Sequence, residues 1–179
     1  MHSLSVYSGV MAKKEHLILL KQGVETWNKW RADNSDISLD LTWASLSKAN
    51  LVGADLSNVN LRGAFLRGSD LRNANLKRAN LMGTNLNEAN LSGALLEEAN
   101  LTRANLVSSI LSFANLSSAI LTDSDLIKAN LRGAVLKNTK NLTVRQLSRV
   151  ETLYTAELDM EMKEQVLKTN PHLFQKPEN

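Results

Sequence analysis

A chain of 179 residues can bury a single-domain core, but only 4% of it is aromatic within a hydrophobic share of 43%, so leucine and alanine must supply most of the burial. The absence of cysteine excludes disulfides and thiolate metal sites, and a formal net charge of +3 is too mild to demand a nucleic acid or to imitate one. The longest apolar run near the start, Leu17-Ile18-Leu19-Leu20, is too short for a signal-peptide core or a membrane span, so a cytoplasmic protein that does not engage the membrane is expected.

Residues 1–13 read as an extension or a disordered tail, with Met1 and Met11 both open as the translation start. Residues 14–38 form the first predicted unit. The spacing of Leu17, Leu20, Val24 and Trp27, with Trp30 close by, predicts one amphipathic helix over 14–30, and Asn34-Ser35-Asp36 a turn after it. Trp27, Trp30 or Trp43 is expected to cover the first layer of the core that follows.

Residues 39–140 carry an internal period. Leucine recurs at every fifth position from Leu41 to Leu136, twenty times in succession. The residue two before it is Ala in fourteen repeats, and the residue just before it is Asn or Asp in fourteen, as in Ala74-Asn75-Leu76 and Ala79-Asn80-Leu81. A period of five would wind leucines around every face of an α-helix and throw them to alternate faces of a flat strand. They all stay inside only if the chain turns a corner once per repeat and the coils stack. With four sides per coil, residues 20 apart become neighbours along the stack. The three charged pairs at that offset, Lys77 with Glu97, Arg78 with Glu98 and Arg103 with Asp123, are all opposite in sign, as stacked neighbours prefer. All six glycines of the block, from Gly53 to Gly133, fall two residues after a leucine, where the corner is expected.

After Leu136 the period breaks, and residues 141–179 read as a C-terminal helical cap and tail. Thr143 with Gln146 predicts a capping box opening a helix over Val144–Glu151. Asp159 predicts the cap of a second helix over Met160–Thr169.

The A-(N/D)-L-x-x motif, repeated over about 100 residues, resembles the pentapeptide-repeat family, and both flanks are similar to the caps of its bacterial, including cyanobacterial, members. The resemblance implies an all-β solenoid: a right-handed quadrilateral β-helix of about five coils, with α-helical caps at both ends.

Nothing in the sequence points to chemistry. His2, His16 and His172 lie outside the repeats and far apart, so no metal triad or nucleophile–base pair is indicated. The adjacent carboxylates Glu97 and Glu98 each have a stacked basic partner and read as a solvated surface pair. No catalytic residue, metal or cofactor is expected, and the chain reads as a non-enzyme.

Two surface features remain. Arg62, Arg67, Arg72, Lys77 and Arg78 form a basic collar whose spacing of five distributes it over four successive sides; it reads as solubility and edge protection, or as a site for an anionic partner. Val107, Ile110, Phe113 and Ile127 form an apolar patch at outward positions, with Ile120 and Val135 also apolar there. The C-terminal helices, a protein partner or a second copy could cover it, or the exposure could be incidental. A non-catalytic scaffold or regulator follows, with a protein rather than a nucleic acid as the expected partner, acting as a monomer or weak dimer. The alternative is a DNA-mimicking gyrase binder, like the family's quinolone-resistance members. Those present an acidic rod, whereas this repeat block holds eleven Lys and Arg against eight Asp and Glu. An accessory domain for an enzyme or ligand is a third reading.

Overall fold

The computed structural model describes residues 13–177; the predicted N-terminal extension lies almost wholly outside them. Two helices, α1 (Lys13–Lys21) and α2 (Val24–Asp33), precede a stack of square coils, and α3 (Val144–Leu147), α4 (Met160–Thr169) and a 3-10 turn (Pro171–Phe174) close it.

The stack is built from isolated parallel bridges, not long strands. Seventeen join residues 20 apart, from Asp40 with Asn60 to Ile120 with Lys140. All twenty leucines are buried, and so is every residue two before them except Ala49, which is partly covered. Where that inner position is polar, the hydroxyl is bonded: Ser69, Ser109 and Ser124 donate to the carbonyl three residues back, and Thr84 to that of Leu61. A buried hydroxyl so paired is tolerated in an apolar core.

A repeat with Asn or Asp before its leucine disposes of all five of its amides. Around Leu61, the Leu61 N–H donates to Asn80 C=O at 2.8 Å and Gly63 N–H to Met82 C=O at 2.9 Å, both in the next coil; Asn60 N–H donates back to Leu39 C=O at 2.9 Å, and Ala64 N–H closes the corner onto Leu61 C=O at 2.9 Å. The fifth amide, Arg62 N–H, points to no neighbouring coil and is taken by the Asn60 side chain at 3.3 Å. All fourteen Asn and Asp residues at this position accept in the same way from the amide two residues on. This local side-chain bond explains why the repeat prefers Asn or Asp.

The left-handed conformation belongs instead to the second residue after each leucine. The six glycines there have φ of 63–67°, and the other fourteen corner residues, from Trp43 to Asn138, have φ of 53–60°. Glycine therefore marks the corner without being required at it. The interstrand bonds hold even bulky residues in a conformation they otherwise avoid.

The ends differ from the sequence-based expectation in four ways. The single helix expected over 14–30 is two, because Gly23 takes φ of 118° between them. Trp27 covers the first leucine layer: it is fully buried and its Nε1 donates to Asp55 C=O at 2.7 Å, with the partly buried Trp30 ring 6.1 Å away. Trp43 does not share this role; it is 60% exposed and lies flat over the Gly63 corner. Side chains of the cap also replace a missing coil, since His16 Nδ1 accepts from Asp40 N–H and Asn28 Oδ1 from Asp55 N–H. Open edges of a solenoid need such partners.

At the far end, pairing extends beyond residue 140. Asn130 pairs with Thr152 and Val135 with Glu157, an offset of 22 instead of 20. The two extra residues are absorbed where α3 forms, opened by the expected Thr143–Gln146 capping box but ending at Leu147 instead of Glu151. The carbonyl of Leu173 then accepts from Leu153 N–H, which brings the 3-10 turn against the last coil, while Val166 of α4 is buried. Helix α4 spans Met160–Thr169 as expected. Its Asp159 makes no cap bond and accepts from Asn138 N–H in the coil beneath.

Candidate interaction surface

The predicted charge ladder forms. Lys77 meets Glu97 at 3.0 Å, Arg78 meets Glu98 at 3.0 Å and Arg103 meets Asp123 at 3.9 Å. Two more collar residues are paired, Arg67 with Glu88 at 3.2 Å and Arg72 with Asp70 at 2.6 Å, which leaves Arg62 as the collar member without an ion pair among the described residues. The collar encircles one coil, and its charge is largely compensated side by side. These pairs are solvated and contribute little to stability. A hydrogen bond and the adjacent charge from Arg78 hold the Glu98 carboxyl below its ordinary range, as Lys137 does for Glu157; the hydrogen bond from Arg72 is the main cause of the same shift at Asp70. For such lowered carboxylates the stabilisation is present above the unfolded-state range and fades as pH falls through the folded-state values.

The apolar residues divide between two sides. Val107 and Ile127 share one side, each two residues after its member of the bridged pair Asn105 and Asp125, and both are half-buried. Ile127 lines an open cleft of ≈ 680 Å³ between the last full coil and α3, together with Asp123, Asp125, Arg145, Gln146 and Arg149. Ile110 and Phe113 belong to the next side, and the C-terminal helices leave them uncovered: Ile110 is 40% exposed and Phe113 63%.

Ile110 stands between Asn90 and Asn130 in the stack. As an aliphatic residue it cannot accept from the amide two residues on, as its Asn neighbours do. Phe65, Leu95, Ile120 and Val135 depart from the repeat in the same way. Phe113 occupies a left-handed corner at φ of 60° and spreads its ring over Gly133, where an added Cβ would meet the ring at 2.5 Å. Beside it, the Arg132 guanidinium lies 5.9 Å from the Phe113 ring centroid and 5.6 Å from that of Tyr154. The sequence pattern identified Ile110 and Phe113. It did not single out Arg132 and Tyr154, because the two lie 22 positions apart and meet only after the two-residue shift in register.

Gly133→Ala is expected to lower stability by about 1–3 kcal/mol, since the new methyl group combines a left-handed backbone with displacement of the ring. Chemical denaturation checks this, and an unchanged midpoint would remove Phe113 from its seat on Gly133.

Among the described residues no group of His, Asp and Glu is placed to hold a metal ion, and no helix is long and apolar enough to cross a membrane. No curated protein matches the chain. Among solved structures, the chain is similar to alr5209, a pentapeptide repeat protein from Nostoc PCC 7120, at 30% identity over 76% of this chain and 95% of that one, with a TM-score of 0.35. It is similar to Rfr23 from the cyanobacterium Cyanothece 51142 at 28% identity, over 76% and 96%, with a TM-score of 0.39. It is also similar to QnrB1, a plasmid-mediated fluoroquinolone resistance protein, at 17% identity over 72% and 84%, with a TM-score of 0.41. The family model for pentapeptide repeats matches residues 40–78, 79–110 and 99–138 in eight copies. With more than half of its residues matched, and its leucines filling a right-handed four-sided β-helix, the chain belongs to the pentapeptide repeat family.

Proposed function

We propose that this chain is a non-catalytic, cytoplasmic protein-interaction module of bacterial type, working as a monomer or weak dimer, whose contact surface centres on Ile110 and Phe113, with Val107 and Ile127 at its margin. One observation carries the reading. Every Asn and Asp before a leucine bonds the amide two residues on, so an apolar side chain there forgoes a bond the scaffold readily makes. Ile110 does so while remaining 40% exposed, beside Phe113 at a corner that disfavours bulky residues. Features that cost the scaffold and face solvent are those expected of a binding surface.

The substitution Ile110→Asn separates the two roles. It restores the repeat's bond and is expected to raise stability by about 0.5–1.5 kcal/mol while weakening partner capture. In quantitative affinity capture from the native cell, proteins retained by the wild type should be depleted at least tenfold with Ile110→Asn. Equal recovery by both proteins would refute the assignment.

The gyrase-binder alternative is opposed by the charge of the repeat block, in which basic residues outnumber acidic ones. The likeness to QnrB1 bears on the fold alone.

A further inference from the structure

We propose that Arg132 is a docking point for a carboxylate on a partner polypeptide, and that Ile110 and Phe113 receive the apolar side chain next to that carboxylate. This rests on the protein-interaction reading above and specifies the partner's chemistry.

The first argument is preorganisation. The guanidinium sits close to two aromatic rings, at 5.9 and 5.6 Å from their centroids, so much of the freedom of a long side chain is already restricted. Ring contacts leave the N–H donors along the guanidinium edge, which match a carboxylate's two oxygens.

The second argument is charge. Arg67, Arg72, Arg78 and Arg103 of the repeat block each have a carboxylate partner, Arg62 on another side has none among the described residues, and Arg31 of the N-terminal cap is paired with Asp55 at 3.6 Å. Arg132 has none among the described residues: its backbone N–H donates to Asn130 Oδ1 and its C=O accepts from Phe113 N–H, while its guanidinium has only the two ring contacts. Its side of the stack offers no internal acid over the last four coils. The bridged residues are Asn90, Ile110, Asn130 and Thr152; the residues beside them are Ser92, Ser112, Arg132 and Tyr154; the corners are Gly93, Phe113, Gly133 and Thr155. An uncompensated cation fixed beside exposed apolar surface is complementary to an acid with an apolar neighbour. Aromatic and arginine anchors are also the residues that dominate protein contacts. A nucleic acid is disfavoured, because it would seek several free cations on one side, whereas this side has Arg132 and, three coils away, Arg72, which is paired with Asp70.

The test is a selection of a random twelve-residue display library against the full chain. The affinity of recovered peptides is then measured by fluorescence anisotropy against the wild type, Arg132→Gln, Arg132→Lys and Phe113→Gly. Recovered peptides are expected to place Asp or Glu beside Leu, Ile or an aromatic residue. Changing that acid to its amide, or Arg132 to Gln, should each weaken binding tenfold or more, about 1.4 kcal/mol. Arg132→Lys should restore only part of it, because an ammonium lacks the planar fork. The acid-to-amide change leaves the protein untouched, so its result does not depend on how well any variant folds. Peptides that lose affinity with Phe113→Gly but are indifferent to both Arg132→Gln and the amide change would overturn the carboxylate assignment and leave the interaction module standing. Recovery of no peptide, or of peptides indifferent to all the variants, would overturn both. Binding of single-stranded oligonucleotide that Arg132→Gln abolishes would overturn the choice of a polypeptide.

Discussion

Trp27→Ala is expected to destabilise the protein by about 3–5 kcal/mol, the range for removing a fully buried tryptophan. The indole fills the apolar opening of the first coil, and its Nε1 satisfies the Asp55 carbonyl, which the substitution would leave without that partner. The damage should be directional, because each coil of a solenoid touches only its neighbours. Amides of the first coil, from Leu41 to Leu56, should lose hydrogen-exchange protection before those of the middle coils. The neighbouring contacts of the cap would loosen too, since Asn28 bonds both Asp55 N–H and the Gly53 carbonyl, and Arg31 bonds the Ser57 carbonyl. Uniform loss of protection along the chain would show that the stack unfolds as one unit and that Trp27 is no more than a large core residue.

Leu91→Ala should cost about 2–5 kcal/mol, with a different signature. Leu91 is fully buried in the third coil, stacked between Leu71 and Leu111, so the cavity opens in the middle of the column with no free end to relax into. Neighbouring backbone is held by interstrand bonds on both sides, at 2.7 Å from Leu71 N–H to Asn90 C=O and from Leu91 N–H to Ile110 C=O. Partial collapse is therefore hindered, which places the cost in the upper part of the range. A denaturation midpoint within error of the wild type would contradict the picture of a column packed on every side.

How far the fold could be read from the sequence depended on whether one repeat contained the relevant interaction. The period of five, the corner glycines and the pairs at an offset of 20 are properties of a single rule applied twenty times, and the structure has them. The reason for Asn and Asp was only partly legible. Asn and Asp can bond a turn locally, but the left-handed angle lies at the corner residue, where Phe113, Glu88 and Lys128 are held in it as Asn73 and Asn138 are. The C-terminal continuation was also visible in principle. Leu153 and Leu158 are five apart, with Ala156 and Glu157 before the second, but the two-residue insertion hides this from a strict period.

The sequence alone determined the coil, because a strict repeat forces every leucine into the same environment and only a stack with one corner per repeat provides it, with the opposite charges at an offset of 20 favouring four sides. Composition and the scattered histidines likewise pointed away from chemistry. Tertiary structure alone decided which tryptophan closes the first coil, that Ile110 and Phe113 stay uncovered, and that Arg132 comes to rest beside two rings. These outcomes depend on where the caps sit and on a two-residue change of register, and contacts between residues outside the repeat rule are set by three-dimensional packing that no period encodes.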